Sequence, residues 1–187
     1  HPKRSTCTFS SGAAGSSDST FPKRLIAEGH TASASTISTI TTRCSSKKDR
    51  LAQLQALPGF TFEHTDLADD AALEAVFVRN AFSHVVNLAA QAGVRYSLIN
   101  PKSYVQSNLV ASATCSNAAA TGRWSIWCSP SSSSVYGMNT SMPFSVHDNV
   151  DHPVSCTRLP KKSQRAHGHT YSTCTAFPAT GLRFFTV

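Results

Sequence analysis

Short apolar runs alternate along this chain with longer segments in which apolar residues recur at helical spacing. The apolar runs predict buried strands at residues 60–64, 84–90, 124–134 and 181–187. Helices are predicted at residues 47–57, in the segment that begins after Asp69, and at residues 101–121. Strands that alternate with helices at this short spacing are typical of parallel βαβ units. The pattern therefore predicts an α/β fold with a doubly wound parallel sheet, whose strand carboxyl ends share one ligand-binding edge.

The N-terminal part of the chain fits this pattern less well, because it contains few large apolar side chains. Residues 1–11 are a weak strand candidate, and residues 31–46, where serine and threonine dominate, read as a linker or a frayed strand. Pro22 is expected to interrupt a helix that should otherwise reach Gly29. We therefore expect the N-terminal strands of the sheet to be degraded in part.

The chain is basic, since 17 lysines and arginines against 10 aspartates and glutamates give a net charge of +7. A basic balance can indicate a nucleic-acid partner. Here the basic residues are scattered along the sequence, and no DNA- or RNA-binding motif accompanies them. We expect no nucleic-acid partner, and salt-dependent binding to single or double strands would be needed to revive that interpretation.

Cysteine usage and hydropathy argue against several other classes of protein. The six cysteines contain no Cys-x-x-Cys pair, so no zinc site or other metal site is predicted. No apolar run approaches the ~20 residues of a membrane-spanning helix. Residues 1–4 carry no signal-peptide pattern, so a cytoplasmic protein without membrane contact is expected.

Three stretches of the chain carry a family resemblance. They are residues 131–155 (SSSSVYGMNTSMPFSVHDNVDHPVS), 87–110 (NLAAQAGVRYSLINPKSYVQSNLV) and 180–187 (TGLRFFTV). This sequence resembles the NAD-dependent epimerase/dehydratase family of extended short-chain dehydrogenases/reductases, and within it the UDP-glucuronate 4-epimerases most closely. The resemblance implies an NAD-binding, Rossmann-like domain over residues 1–187, truncated before most of the family's substrate-binding region. It also implies a UDP-sugar substrate, and it leaves a homodimer open.

The glycine-rich turn of the family has glycine at three points, for the tight turn, for close approach of the pyrophosphate and for helix packing. Gly12, Ala14 and Gly15 match that turn, but Asp18 stands at the third glycine position. A carboxylate there brings a like charge toward a pyrophosphate. The family also places an aspartate after the second strand to bind the ribose hydroxyls, and here that position is Thr36.

Further cofactor contacts follow from the resemblance alone. The pair Asp66 and Leu67, after the third predicted strand, matches residues that lie by the adenine in the family. The loop beneath the cofactor matches Ala89, Ala90 and Gln91. These residues are therefore expected to contact NAD.

The catalytic residues of the family are a serine or threonine and a Tyr-x-x-x-Lys pair on a helix. By resemblance Ser132 and Lys161 match, and Lys161 is expected both to act in catalysis and to hold the nicotinamide ribose. Thr157 occupies the tyrosine position. A threonine hydroxyl has no accessible pKa near 7, so turnover should fall by about 10²–10⁴.

Two functional hypotheses stay open on these residues. One is the family reaction, the C4 epimerisation of UDP-glucuronate through a 4-keto intermediate. The other is a catalytically dead remnant that is at most a nucleotide-binding module. Thr157 favours this second hypothesis, so the sequence leaves the enzymatic activity of this chain open. Arg95 has two equally good interpretations: it lies near the substrate, or it is an ordinary surface arginine.

The departures from the family are concentrated in a few segments. Residues 16–21, 124–130 and 156–160 each match the peptide that a one-base shift of family-like codons would give. The third shift turns the expected tyrosine into Thr157. We hypothesise that the chain alternates in-frame and out-of-frame translation of an epimerase gene. Sequencing the encoding DNA tests this hypothesis, because a single frame supported by independent reads would rule out a reading artefact and leave gene decay.

Overall fold

The computed structural model describes residues 6–12, 14–15, 19–35, 44–91, 94–121, 126–136, 143–148, 158–175 and 178–184, and for some of these, Lys161 among them, the backbone alone. The strands are β1 (Cys7–Ser11), β2 (Thr31–Ser35), β3 (Phe60–Phe62), β4 (His84–Asn87), β5 (Ile126–Ser132) and β6 (Ala179–Phe184). The helices are α1 (Thr20–Ala27), α2 (Cys44–Gln55), α3 (Asp70–Arg79), α4 (Val94–Ile99), α5 (Pro101–Tyr104), α6 (Ala111–Thr121) and α7 (Arg158–Thr175). A π-helical segment, Val105–Val110, joins α5 to α6, and a 3₁₀ turn, Ser133–Tyr136, follows β5.

The strands form one six-stranded sheet in the order β3-β2-β1-β4-β5-β6. All five pairings are parallel. This is the strand order of a doubly wound, Rossmann-like sheet, in which the direction of winding reverses between β1 and β4. The predicted fold class is therefore confirmed, and so are the helices predicted after Asp69 and over residues 101–121.

The main core lies between the middle of the sheet and helices α3 and α6. Phe9 of β1 is its centre, with its ring 4.9 Å from the Phe77 ring and 5.2 Å from the Phe82 ring. Asp69 positions α3 against this core, because its carboxylate accepts a hydrogen bond from the Ala72 N–H at 3.0 Å and caps the helix. A smaller cluster on the other face joins Leu54 of α2 to β2.

Both N-terminal strands form, and the expectation that they are degraded is wrong for the residues the structure describes. In β1 and in β2 four successive residues are buried. The reason is that strand pairing uses the main chain, and the small side chains of serine and alanine fit a sheet covered on both faces. The segment read as a linker or frayed strand thus begins with a central strand of the sheet, β2.

Pro22 does not interrupt α1, contrary to the sequence-based expectation. The helix begins at Thr20, so Pro22 lies in its first turn and is buried there. A proline in the first turn loses no intrahelical hydrogen bond, because the N–H groups of that turn have no partner in the helix. Helix α4 was not predicted, since its six residues are too few to show a period.

Several serine hydroxyls are buried in the sheet without a hydrogen-bond partner in the described part of the chain, namely those of Ser10, Ser33 and Ser131. A buried hydroxyl that makes no hydrogen bond costs about 1–3 kcal/mol. Ser10 pairs in register with Ala34 and Val86, so its side chain points to the same face as two apolar neighbours.

We expect Ser10→Val to raise the free energy of unfolding by about 1–2 kcal/mol, because it removes the unpaired hydroxyl and buries apolar surface. Urea unfolding measures the change. Ser11→Ala is the matched control: Ser11 is equally buried, but its hydroxyl is bonded, so this variant should lose stability. A loss of stability in both Ser10→Val and the smaller Ser10→Ala would contradict the prediction.

Candidate functional site

The carboxyl ends of β1, β2 and β4 lie side by side at one edge of the sheet. Ser11, the last residue of β1, pairs with Ser35 of β2 and with Asn87 of β4. The loops that follow β1 and β4 therefore leave the sheet at adjacent positions, where the winding reverses. In open α/β sheets this crevice is where ligands bind.

The turn after β1 contains a glycine in a positive-φ conformation. Gly12 has a φ of 90°, a conformation that side chains with a Cβ rarely adopt. Its N–H donates to the Ser35 carbonyl at 2.7 Å, and the Gly15 N–H donates to the Gly12 carbonyl at 2.8 Å. Ala14 is almost wholly buried within the turn. Helix α1 begins at Thr20, and the dipole at the N-terminus of a helix favours an anion.

A buried polar network fixes the loop after β4. The Ser11 hydroxyl donates to the Asn87 side-chain oxygen at 2.5 Å, and the Asn87 amide donates to the Ser112 hydroxyl at 3.1 Å. The Ala89 N–H in turn donates to the Ser11 hydroxyl at 3.1 Å. No roles were predicted for Ser11, Asn87 or Ser112 from the sequence. A polar residue that ends an apolar strand, as Asn87 follows Val85 and Val86, was the signal that could have found them.

A second set of hydrogen bonds connects this loop to α7. The Gln91 N–H donates to the Asn108 side-chain oxygen at 2.7 Å, and the Asn108 side-chain amide donates to the Gln91 carbonyl at 3.1 Å. Asn108 lies in the π-helical segment, and its backbone carbonyl accepts a hydrogen bond from the Gln164 side-chain amide. Gln164 is three residues after Lys161, so these bonds anchor the part of α7 that contains Lys161.

Ser132 ends β5 at the same edge of the sheet and is half-buried. The 3₁₀ turn that follows is held by Tyr136, whose hydroxyl accepts a hydrogen bond from Arg183 of β6 at 2.5 Å. The Tyr136 ring also stacks on Phe144, with centroids 4.5 Å apart. Tyr136 is therefore engaged in packing.

The structure places the other predicted cofactor residues in different environments. Asp66 is exposed after β3, and its carboxylate accepts a hydrogen bond from the Ala68 N–H at 2.9 Å. Leu67 is fully buried in the main core, so a ligand could reach only its backbone. Ala89 and Gln91 are buried, and Ala90 between them is half-buried.

Three residues that depart from the family pattern lie outside the described residues: Asp18, Thr36 and Thr157. The side chains of Arg95 and Lys161 are likewise not described. Their roles therefore stay predictions. What the structure brings together at one edge is the Gly12–Gly15 turn, the Ala89–Gln91 loop, Ser132 and the backbone of α7.

The described cysteines are free thiols, and Cys115 is fully buried in the core. Burial raises the pKa of Cys115 to about 12, because the thiolate would be desolvated, so the thiol stays protonated and unreactive. Within the described ranges no three histidine, cysteine, aspartate or glutamate side chains cluster as metal ligands would. A search of the same ranges finds no helix with the length and hydropathy to cross a membrane.

Comparison with known proteins gives a consistent set of sequence relatives. A family model described as GDP-mannose 4,6 dehydratase matches residues 11–187. Protein CapI of Staphylococcus aureus is 43% identical over 176 residues, which cover 94% of this chain and 52% of that protein. UDP-glucuronate 4-epimerase 3 of Arabidopsis thaliana is 42% identical over 144 residues, which cover 75% of this chain and 33% of that protein. The chain thus spans about half the length, or less, of these relatives.

Solved structures share the fold over nearly the whole chain. UDP-glucuronic acid 4-epimerase of Bacillus cereus, solved with UDP-glucuronic acid and NAD, has a TM-score of 0.88 at 23% identity, covering 97% of this chain and 57% of that chain. UDP-glucose 4-epimerase of Brucella ovis, solved with NAD, has a TM-score of 0.83 at 20% identity, covering 97% and 52%. At these identities the likeness is one of fold.

Proposed function

This chain belongs to the NAD-dependent epimerase/dehydratase family, through its match to the GDP-mannose 4,6 dehydratase model, and from that membership we propose that it is the NAD-binding domain of a sugar-nucleotide epimerase. The proposed substrate is UDP-glucuronate, and the proposed reaction is epimerisation at C4 through a 4-keto intermediate. The observation that carries the proposal is the positive-φ turn at Gly12, seated where the winding of the sheet reverses. Relatives whose names carry this activity support the choice of substrate.

The described residues fit a dinucleotide in part. In this proposal a pyrophosphate would bind at the turn that contains Gly12 and Gly15, ahead of α1, and the buried network holds the Ala89–Gln91 loop in one position. NAD, when bound, would take a hydride from C4 of the sugar and return it to the opposite face. Asp18 and Thr36 fit less well, because the first adds a like charge and the second offers one hydroxyl in place of a carboxylate.

The chain's own residues would orient the sugar and move one proton. Ser132, at the end of β5, is placed by the proposal beside the C4 hydroxyl as a hydrogen-bond partner. Lys161 would hold the nicotinamide ribose through its ammonium group. In this family the proton of the C4 hydroxyl goes to a tyrosinate, whereas Thr157 offers an alcohol that stays protonated at neutral pH.

The second candidate function is a nucleotide-binding module without catalysis. Thr157 favours it, because the loss of a general acid–base group lowers turnover by about 10²–10⁴. The two candidates differ in a single measurable step, the substrate-dependent reduction of NAD. UDP-glucuronate should reduce bound NAD in a Thr157→Tyr variant and leave it oxidised in the unaltered chain if the second candidate holds.

Calorimetric titration with NAD tests the proposed cofactor site. The unaltered chain is compared with a variant that carries Asp18→Gly, Thr36→Asp and Thr157→Tyr. We expect the variant to bind at least about tenfold more tightly, because it removes a like charge and restores a charge-assisted ribose contact. A matched control carries Thr31→Asp in place of Thr36→Asp, since Thr31 is exposed at the opposite end of β2.

Each outcome of this titration has a definite meaning. Tighter binding by the variant than by the control supports the proposed site and assigns the lost ribose contact to position 36. Equal binding by variant and control would remove the ribose position from the proposal. If no protein binds NAD while all of them unfold cooperatively, the proposed function is wrong for this chain.

A further inference from the structure

One face of the sheet is buried at β1 and β2 but open at β5 and β6. Five residues pair in register across the strands and therefore share this face: Ala34, Ser10, Val86, Cys128 and Thr180. The first two are fully buried, the next two are half-buried, and Thr180 is exposed. Burial on this face thus falls step by step from the middle of the sheet toward β6.

The positions of the helices explain this gradient. On the face that carries Ala34, α2 packs its Leu54 against β2, and α1 contacts the same strand. Helices α6 and α7 contact β4, β5 and β6, but on the opposite face, where Trp127 and Ser131 are buried. Among the described residues no helix covers the Val86 side of these three strands. A parallel sheet is ordinarily covered on both faces, so this part of the sheet lacks a layer.

The uncovered part, here called the open face, is mostly apolar. Its members are Val86, Ile126, Cys128, Thr180, Leu182 and Phe184. The two largest side chains at the sheet edge, Leu182 and Phe184, are 43% and 52% exposed. Single exposed apolar residues are common on protein surfaces, whereas a contiguous group of them marks an interaction surface.

The open face has no charge, although the chain has a net charge of +7. Arg183 lies between Leu182 and Phe184 in β6, but successive strand residues point to opposite faces, and its guanidinium donates to the Tyr136 hydroxyl. Two copies of a basic chain repel each other over much of their surface. An acidic partner would find no cation on the open face, whereas a second copy presents the same apolar side chains and brings no like charges together.

We propose that two copies of this chain associate through their open faces, sheet against sheet. The contact is isologous, because a two-fold axis through the patch sets Leu182 and Phe184 of each copy against apolar side chains of the other. Sheets that pack in this way lie about 10 Å apart with their strands within about 30° of each other.

The size of the open face sets the strength of this association. Three strands about 4.8 Å apart and roughly 20 Å long cover a flat area of roughly 300 Å². A stable complex buries about 800 Å² on each partner. The dimer should therefore be weak and form only at high protein concentration.

Sedimentation velocity over a series of protein concentrations tests the proposal. We expect an equilibrium between one and two copies with a Kd of about 10–100 μM. Leu182→Lys should raise this Kd at least about tenfold, since the two-fold axis brings two ammonium groups into an apolar contact. Val78→Lys is the matched control, because Val78 is 80% exposed on α3, which packs on the opposite face of the sheet, and its Kd should not change.

Cysteine labelling locates the contact independently. Cys128 is half-buried on the open face, whereas Cys174 is exposed on α7. Alkylation with iodoacetamide, followed by peptide mass spectrometry, compares the two thiols in one sample. Labelling of Cys128 should slow as the protein concentration rises through the Kd, while labelling of Cys174 stays constant.

The outcomes separate this contact from other modes of assembly. A single copy at every concentration overturns the inference, and so does a dimer that Leu182→Lys leaves intact. Loss of the dimer in Val110→Lys, with Cys174 protected in place of Cys128, would assign the contact to the helices. Growth beyond two copies would indicate open-ended pairing along the β6 edge and would also contradict the closed contact.

The variants must keep the fold for this comparison, and their urea midpoints check that they do. Leu182 is already partly exposed, so the lysine ammonium group can reach water in the single copy. Thr180→Lys, at a fully polar position of the same face, provides a second variant with the same expected rise in Kd. None of these measurements requires a dinucleotide, so the inference stands or falls apart from the proposed function.

Discussion

Replacing Phe9 by alanine is expected to lower the free energy of unfolding by about 3–5 kcal/mol. Phe9 is fully buried at the middle of the sheet, and its ring meets Phe77 of α3 and Phe82 at 4.9 and 5.2 Å. Those two rings also contact each other at 5.3 Å, so they cannot both move into the space that Phe9 leaves. Because domains are stable by only about 5–15 kcal/mol, this one change should leave little folded protein under mild denaturation.

Urea unfolding followed by far-ultraviolet circular dichroism measures this change. Val78→Ala is the control, because Val78 lies on the same helix as Phe77 and is 80% exposed. Its loss should be within about 0.5 kcal/mol, the usual range for surface changes. A Phe9→Ala variant that unfolds at the same urea concentration as the control would show that this cluster is not the core of the folded chain.

Asn87→Ala is expected to lower the free energy of unfolding by about 2–4 kcal/mol. The Asn87 side chain bonds the Ser11 and Ser112 hydroxyls inside the protein, so its removal leaves both without that partner. Each buried group that loses its hydrogen bond costs about 1–3 kcal/mol. The Ser11 hydroxyl also accepts a hydrogen bond from the Ala89 N–H, so the variant should loosen the loop at the proposed cofactor site and weaken the dinucleotide binding proposed there.

A double-mutant cycle with Ser11→Ala isolates this interaction. If Ser11 and Asn87 act through one hydrogen bond, the double variant should be destabilised by less than the sum of the single variants, since each removes the same bond. Hydrogen exchange at the Ala89 amide provides the local measurement. Additive losses together with unchanged protection of that amide would argue that the network does not position the loop.

The fold was predictable where large apolar side chains mark the strands. Val85 and Val86 in β4 and Trp127 in β5 predict buried strands, and the structure confirms both. The first two strands were misjudged, because Ser10 and Ser33 carry no hydrophobic signal although they are buried as fully as the apolar residues. Main-chain pairing with a neighbouring strand on each side sets the conformation of β1 and β2. The pattern of side chains alone does not reveal this pairing.

The candidate site was predictable only as far as motifs extend. Gly12 could be assigned because its turn requires a positive φ, which glycine adopts freely. Asn108 and Gln164 could not, because their role depends on contacts between segments 17 and 56 residues apart in the chain. The contact of Arg50 with the turn at Ala14 could not be predicted for the same reason, since α2 meets that turn only in the folded chain.

The bonds from Gln91 through Asn108 to Gln164 make two distant segments of the chain one cooperative unit. Opening of the loop after β4 must break the same bonds that hold α7, so neither segment can unfold locally by itself. A ligand that binds to the loop would therefore also restrict the motion of the backbone around Lys161. Without a ligand, the loop and this part of α7 would open together. In the proposed site, dinucleotide binding and the order of the helix that carries Lys161 would be coupled through these bonds.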